Sequence, residues 1–82
     1  MMAYNIWVSI QARDILKFLL SNDIDIYQQI QETLHCLSIE KENLITGAPQ
    51  KNEAFRVGEW KIYYRVAHRL QAIDVVKITK LS

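Results

Sequence analysis

The sequence predicts an α+β fold in which a helical hairpin packs on one face of a four-stranded, mainly antiparallel sheet. Two observations predict it. The apolar residues recur with period two up to residue 10, with a helical period after that, and with period two again beyond residue 52. A polar stretch that contains the only proline separates the helical region from the second region of period two. The predicted order is β-α-α-β-β-β, in one domain that spans residues 1–82.

The first half of the chain contains one strand and two helices. Residues 4–10 alternate between apolar and other side chains and are rich in β-forming types, which predicts a strand with one buried face. From Gln11 the apolar residues fall at helical spacing, which predicts an amphipathic helix of about three turns. Its apolar stripe is Ala12, Ile15, Leu16, Leu19 and Leu20. Residues 21–23 (SND) favour turns and helix N-caps and so separate it from a second helix. The apolar stripe of the second helix is Ile24, Tyr27, Ile30, Leu34 and Leu37.

The second half of the chain is predicted to form three consecutive strands. Residues 38–52 are polar and form the single long loop. The strands are predicted at Glu53–Val57, Trp60–Ala67 and Gln71–Ile78, with a tight turn at residues 58–59 and a corner at residues 68–70. Such short connections make an antiparallel meander, on which the helical hairpin covers one face and leaves the other open.

Composition excludes several classes of protein. Half of the residues are hydrophobic and 23% are charged, which is ordinary for a globular protein. No apolar run approaches the roughly 20 residues that cross a bilayer, and the first residues do not resemble a signal peptide, so we expect no membrane association. Cys36 is the only cysteine, which fits a reducing cytoplasm, and we expect it to be buried. No residues have the spacing of a metal site, and we expect no metal or cofactor.

Positive charge is concentrated in the second half of the chain. Residues 1–50 carry three basic and six acidic side chains, whereas residues 51–82 carry seven basic and three acidic ones. In the strand at residues 60–67, Lys61, Tyr63 and Arg65 alternate with apolar residues and are predicted to point away from the helices. Arg56 is predicted to join them across the tight turn. Cations around a tyrosine suit a phosphodiester backbone with a base to stack. The structural alternative is that Arg65 and Lys61 pair with the carboxylates of Glu53, Glu59 or Asp74.

Residues 53–81 and the order of elements resemble the RelE/ParE superfamily of type II toxin–antitoxin toxins. The segment FRVGEWKIYYRV (Phe55–Val66) is similar to the strand–turn–strand hairpin of that family. The segments IQARDILKFL and NLITGAPQKNEAF also resemble family sequences, so the likeness covers almost the whole chain. The resemblance implies a RelE/ParE-like fold and a growth-arrest toxin of the bacterial or archaeal cytoplasm. It also implies a cognate antitoxin protein, whose extended or helical tail wraps the toxin.

The resemblance implies one of two targets. In the RelE-like branch the concave sheet face holds messenger RNA in the ribosomal A site, where basic residues promote attack of the 2′-hydroxyl on the adjacent phosphate. In the ParE-like branch the target is DNA gyrase, and no RNA is cleaved. A third reading is a decayed toxin that only binds its antitoxin. We expect a ribosome-dependent endoribonuclease with a weak or degenerate catalytic set, and keep the other two as alternatives.

The candidate site residues follow from the open face and from the family pattern. Arg56 matches the family arginine before the turn, and Lys61 occupies the position of the arginine after it. Leu81 stands where RelE-like nucleases have an arginine. We therefore expect the catalytic set to be Lys61, Arg56 and Arg65. The residues expected to contact RNA or the antitoxin are Lys51, Tyr63, Lys77 and Lys80.

Overall fold

Two helices and four strands make up the fold in a computed structural model, which describes residues 4–42 and 52–81. The elements are, in chain order, β1 (Asn5–Val8), α1 (Ile10–Asn22), α2 (Ile24–Glu42), β2 (Asn52–Val57), β3 (Trp60–Ala67) and β4 (Ala72–Lys80). A 3₁₀ turn over His68–Leu70 joins β3 to β4. The predicted order of elements is confirmed.

Side chains cap the start of both helices. The Ser9 hydroxyl accepts a hydrogen bond from the Ala12 N–H at 3.1 Å, which starts α1 and makes Ile10 helical rather than part of the predicted first strand. Asp23 caps both helices at their junction. Its N–H donates to the Leu19 carbonyl at 2.7 Å, and its carboxylate accepts from the Ile26 N–H at 3.4 Å. No helix in the described part of the chain is long and apolar enough to cross a membrane.

The sheet has the strand order β1-β4-β3-β2. The β2–β3 and β3–β4 pairs are antiparallel, and β1 pairs with β4 in parallel. Parallel strands cannot be joined by a tight turn, and here the helical hairpin forms part of the long connection between β1 and β4. The sheet is therefore mainly antiparallel, as predicted.

The core lies between the helices and one face of the sheet. On β3, Ile62, Tyr64 and Val66 are buried against the helices, as the alternation of this strand predicted, and Trp60 is half-buried. The other buried residues of the cluster are Tyr4, Ala12, Leu16, Leu19, Ile30, Leu34, Val57, Ile73, Val75 and Ile78. We call the opposite side of the sheet the open face.

The structure corrects the predicted extent of α2 and the burial of several residues. The helix continues to Glu42, although residue 38 was expected to begin the loop. Ser38 is only 2% exposed, and its hydroxyl donates to the His35 carbonyl at 2.7 Å, so the helix itself satisfies this polar group. Cys36 is exposed, not buried, because the buried stripe of α2 runs through Leu34 and Ser38 and residue 36 points away from it. Two further residues predicted to lie on the apolar stripes are also exposed: Leu20 and Ile24.

A β-bulge divides β4 into two halves. Tyr64 lies opposite Val75 whereas Tyr63 lies opposite Lys77, so that Val76 is an extra residue on β4. The bulge shifts the alternation by one residue. As a result, Ile78 packs on the helix side of the sheet and Lys77 lies on the open face. The sequence did not reveal this bulge, because four apolar residues in this strand leave no clear alternation.

Side chains from the start of α1 complete the pairing of β4 beyond the end of β1. The Ser9 hydroxyl donates to the Val76 carbonyl at 2.9 Å. The Gln11 side-chain amide donates to the Ile78 carbonyl at 2.8 Å and accepts from the Ile78 N–H at 3.0 Å. Gln11 thus replaces the backbone of a neighbouring strand and blocks this edge of the sheet.

We expect Gln11→Ala to lower the free energy of unfolding by about 1–3 kcal/mol, because it leaves both polar backbone groups of Ile78 without their partner. Urea denaturation followed by circular dichroism measures the change. Gln28→Ala, an exposed glutamine on α2, is the matched control and should change stability by less than about 0.5 kcal/mol. Equal losses in the two variants would contradict the role given to Gln11.

Candidate phosphate-binding face

The strand register places the predicted site residues in rows across the open face. Arg56 lies beside Lys61, which lies beside Thr79 on β4. In the next row Tyr63 lies beside Lys77. Side chains directly opposite each other on paired strands point to the same face, so these cations surround one tyrosine. We call Arg56, Lys61 and Lys77 the cation cluster.

Lys61 is held over the ring of Tyr63. Its ammonium nitrogen lies 5.0 Å from the ring centroid, and both residues are half-buried. A cation–π contact of this kind contributes about 0.5–1 kcal/mol at an exposed site. The ring therefore favours this position of the ammonium group and leaves its N–H donors able to bind an anion.

Arg56 extends over the tight turn between β2 and β3. One guanidinium nitrogen donates to the Gly58 carbonyl at 3.5 Å, which is a long and weak contact. Because a guanidinium group has five N–H donors, most of them are left for another partner. Arg56 and Lys61 together can therefore place two donors of different shape on one phosphate.

Arg65 lies on the same face but is already paired. Its guanidinium donates to the Asp74 carboxylate at 3.1 Å, which is one of the carboxylate pairs predicted as the structural alternative. Asp74 lies directly opposite Arg65 in the sheet. The carboxylate offsets the positive charge, so Arg65 attracts a phosphate less strongly than an unpaired arginine does. Its predicted catalytic role stays a prediction.

Two further predicted residues lie apart from the cation cluster. Lys80 is opposite Trp60, on the helix side of the sheet, and its ammonium nitrogen lies 3.8 Å from a Glu59 carboxylate oxygen. Lys51 lies outside the described residues. The structure therefore brings together Arg56, Lys61, Tyr63 and Lys77, with Arg65 one row away.

The predicted site residues do not include two side chains of the open face, Trp7 and Asp74. Trp7 lies in register with Asp74 and is 47% exposed, and Asp74 in turn binds Arg65. The alternation of the first strand already put Trp7 on the opposite side from Ile6 and Val8. That signal was sufficient to place Trp7 on an uncovered surface. The sequence offered Asp74 as one of three carboxylates that could pair with Arg65 or Lys61, and the strand register selects the Arg65–Asp74 pair.

The open face can bind and stabilise negative charge better than it can move a proton. The cation cluster provides ammonium and guanidinium groups, and Tyr63 provides a phenol. The carboxylate of Asp74 is bonded to Arg65. Among the described residues of this face, none is a histidine or an unpaired carboxylate that could act as a general base near neutral pH.

Comparison with solved structures identifies the fold. An archaeal RelE in complex with RelB, from Pyrococcus horikoshii OT3, superposes with a TM-score of 0.77 at 18% identity, covering 99% of this chain and 98% of that one. The chain has the RelE fold. The isolated RelE toxin of E. coli gives a TM-score of 0.67 at 15% identity, covering 98% of this chain and 86% of that one. A RelBE toxin–antitoxin complex from Mycobacterium tuberculosis gives 0.66 at 17% identity, with coverages of 98% and 93%.

The similarity to known proteins is one of three-dimensional structure. No family model matches the sequence, and no curated protein matches it. The RelE/ParE-like fold implied by the β2–β3 hairpin is nevertheless confirmed, because the likeness to RelE structures covers nearly the whole chain. At 15–18% identity the likeness establishes the fold, and the chemistry of this chain has to be argued from its own side chains.

We expect inorganic pyrophosphate to bind at the cation cluster, because three neighbouring cations attract a compact polyanion. In an NMR titration the backbone amide signals of Lys61, Tyr63 and Lys77 should shift, while those of α1 stay in place. Lys61→Gln should reduce the shifts and the affinity several-fold. Lys17→Gln, which removes an exposed cation of α1, is the control and should change neither. Shifts centred on Lys80 would place the anion on the helix side of the sheet and contradict binding at the cation cluster.

Proposed function

We propose that this chain is the toxin of a toxin–antitoxin pair, and that it arrests growth in the cytoplasm by holding messenger RNA on its open face. The RNA is held in the ribosome and cleaved weakly. The single observation that carries the proposal is the cation cluster around Tyr63 on a RelE fold. Of the structures with which the chain superposes, the E. coli RelE is a toxin and the M. tuberculosis RelBE2 is a toxin–antitoxin complex.

The cation cluster has the electrostatics that a phosphodiester requires. None of Arg56, Lys61 and Lys77 forms an ion pair with a described residue, whereas Arg65 and Lys80 do. Three cations on neighbouring strands repel one another unless an anion lies between them. An RNA backbone supplies such an anion, and the exposed side of Tyr63 supplies a surface for a base.

The chemistry that fits this face is transfer of a phosphoryl group within the RNA. The 2′-oxygen attacks the adjacent phosphorus, the bond to the 5′-oxygen breaks, and a 2′,3′-cyclic phosphate remains. The cation cluster stabilises the negative charge that develops on the phosphate oxygens. The proton of the 2′-hydroxyl and the proton needed by the leaving oxygen have to be moved by Tyr63, by a lysine or by ribosomal groups and water.

The missing groups predict a slow reaction. A positioned general acid or base contributes about 10²–10⁴-fold, and a single charge-stabilising donor about 10²–10³-fold. Leu81 stands where RelE-like nucleases are expected to have an arginine. Its N–H donates to the Glu59 carbonyl, so it lies at the end of the sheet where Arg56 and Lys61 flank the turn. An arginine there would reach toward the cation cluster.

The shortage of proton-transfer groups also favours a second candidate, a toxin without nuclease activity that acts by binding. Its target would be DNA gyrase, as in the ParE branch, or the antitoxin alone in a decayed toxin. Transcript mapping after induction distinguishes these functions. Codon-phased breaks indicate cleavage on the ribosome, gyrase-linked double-strand DNA breaks indicate the ParE type, and normal growth indicates a decayed toxin.

We expect weak or undetectable cleavage of a defined message by the natural protein on purified ribosomes. Lys61→Arg combined with Leu81→Arg should raise the rate by about tenfold or more, because two planar guanidinium groups grip a phosphate better than a lysine and a leucine. Primer extension on the message measures the rate. Lys17→Arg on α1 is the control and should leave it unchanged. Robust cleavage that survives Lys61→Ala would show that the active site lies elsewhere.

We also expect the antitoxin encoded by the neighbouring gene to bind the open face and its edge. Arg56→Gln with Arg65→Gln should weaken the complex about tenfold and reduce its dependence on salt, since part of the attraction is electrostatic. Isothermal titration calorimetry at two salt concentrations measures both effects. The matched control is Arg13→Gln on the exposed side of α1. A salt-insensitive complex that tolerates the double substitution would contradict binding at this face.

A further inference from the structure

Trp7 is a large aromatic residue on the open face that the core does not use. It lies on the edge strand β1, between Ile6 and Val8, which pack against the core on the other side. Its side chain is 47% exposed. The indole ring therefore offers a flat apolar surface to solvent at one edge of the sheet.

The surroundings of Trp7 are electrically neutral, in contrast to the cation cluster. The nearest open-face neighbour on β4 is Asp74, which accepts a hydrogen bond from Arg65 on β3. A phosphate is disfavoured beside this carboxylate, whereas the edge of a base can donate to it. Arg65 uses one nitrogen for Asp74 and retains other N–H donors for a base acceptor. This end of the open face thus suits a base rather than a backbone phosphate.

The neutral end and the cation cluster lie within reach of one single strand. With a rise of about 3.3 Å per residue and strands about 4.8 Å apart, the Cα atoms of Trp7 and Lys77 are separated by roughly 11 Å. Adjacent nucleotides of an unstacked strand can span such a distance. The open face therefore divides into a part that binds backbone phosphates and a part that receives a base.

We infer that Trp7, with the Arg65–Asp74 pair beside it, forms a base-binding subsite in which an unpaired base of single-stranded RNA stacks on the indole ring. The inference rests on the proposed function, because it extends the path of the RNA from the cation cluster to β1. Trp7 contributes affinity through stacking, which tolerates any base. The edge of that base then faces the Arg65–Asp74 pair.

The test compares a short oligouridine with a base-free sugar–phosphate chain of the same length. Trp7→Ala should weaken binding of oligouridine about 10- to 100-fold, which is the loss measured when a stacking aromatic residue is removed. The same substitution should leave binding of the base-free chain unchanged. Trp7→Phe should retain most of the affinity for oligouridine, since the aromatic face remains. Phe18→Ala, which removes a 53% exposed ring on α1, is the matched control and should change neither affinity.

A second measurement needs no loss-of-function variant. Oligouridine should quench the fluorescence of Trp7, seen as the difference between the natural protein and Trp7→Phe, and the base-free chain should not. Circular dichroism of Trp7→Ala verifies that the variant is folded.

The outcomes separate the two proposals. If Lys61→Gln weakens oligouridine binding but Trp7→Ala does not, RNA binds the open face without a base at β1, and the subsite is wrong while the proposed function stands. If Trp7→Ala weakens both chains equally, the residue acts on the fold and not by stacking, which also overturns the subsite. If oligouridine does not bind, or binds regardless of Lys61→Gln, the proposed function fails and the subsite with it. If an acidic peptide quenches the fluorescence of Trp7 and oligouridine does not, the subsite is wrong and this end of the face binds a protein partner.

Discussion

The β-bulge at Val76 is the feature on which both faces of the sheet depend. Without the extra residue, strict alternation from Val75 would send Lys77 into the core and Ile78 to the open face. The bulge reverses both. It is stabilised from outside the sheet, because the Ser9 hydroxyl donates to Val76 and the Ser9 N–H donates to the Val75 carbonyl. The residue that caps α1 therefore also sets which side chains of β4 reach the cation cluster.

Pairing within the chain decides which of the basic residues remain able to bind an anion. Asp74 holds Arg65, and Glu59 lies beside Lys80 at 3.8 Å. Both of those pairs are exposed to solvent and contribute only about 0–1 kcal/mol to stability. Their larger effect is on the distribution of charge, because they leave Arg56, Lys61 and Lys77 as the positive group on the open face. Three of the seven basic residues at positions 51–82 thus lie together on one face without an ion pair to a described residue.

Hydrophobic periodicity was sufficient to predict the order of elements, the open face of β3 and the proximity of Arg56 to Lys61. These features are local, since they depend on alternation within one strand and on one tight turn. The sequence did not predict the bulge or the Gln11 contact with Ile78, and it offered Asp74 as only one of three carboxylates for pairing with Arg65 or Lys61. Each of these depends on the register between distant strands or on side chains that replace backbone, and no local pattern encodes them. The burial predicted for Cys36 was wrong for the same reason, because the rotation of α2 against the sheet decides which side of the helix is buried.

The cation cluster is held in place by contacts with the helical hairpin as well as by the sheet. The β2–β3 turn adopts a positive φ of 58° at Gly58, and a Cβ there would come within 3.1 Å of the Ile26 side chain on α2. The turn that carries Arg56 and Lys61 is therefore packed on the start of α2, while Lys77 is fixed by the bulge that Ser9 stabilises. The backbone that carries the three like charges is thus fixed, and these charges repel one another in the free protein. An anion that relieves the repulsion without requiring any rearrangement gains affinity from it, and by linkage it also stabilises the fold.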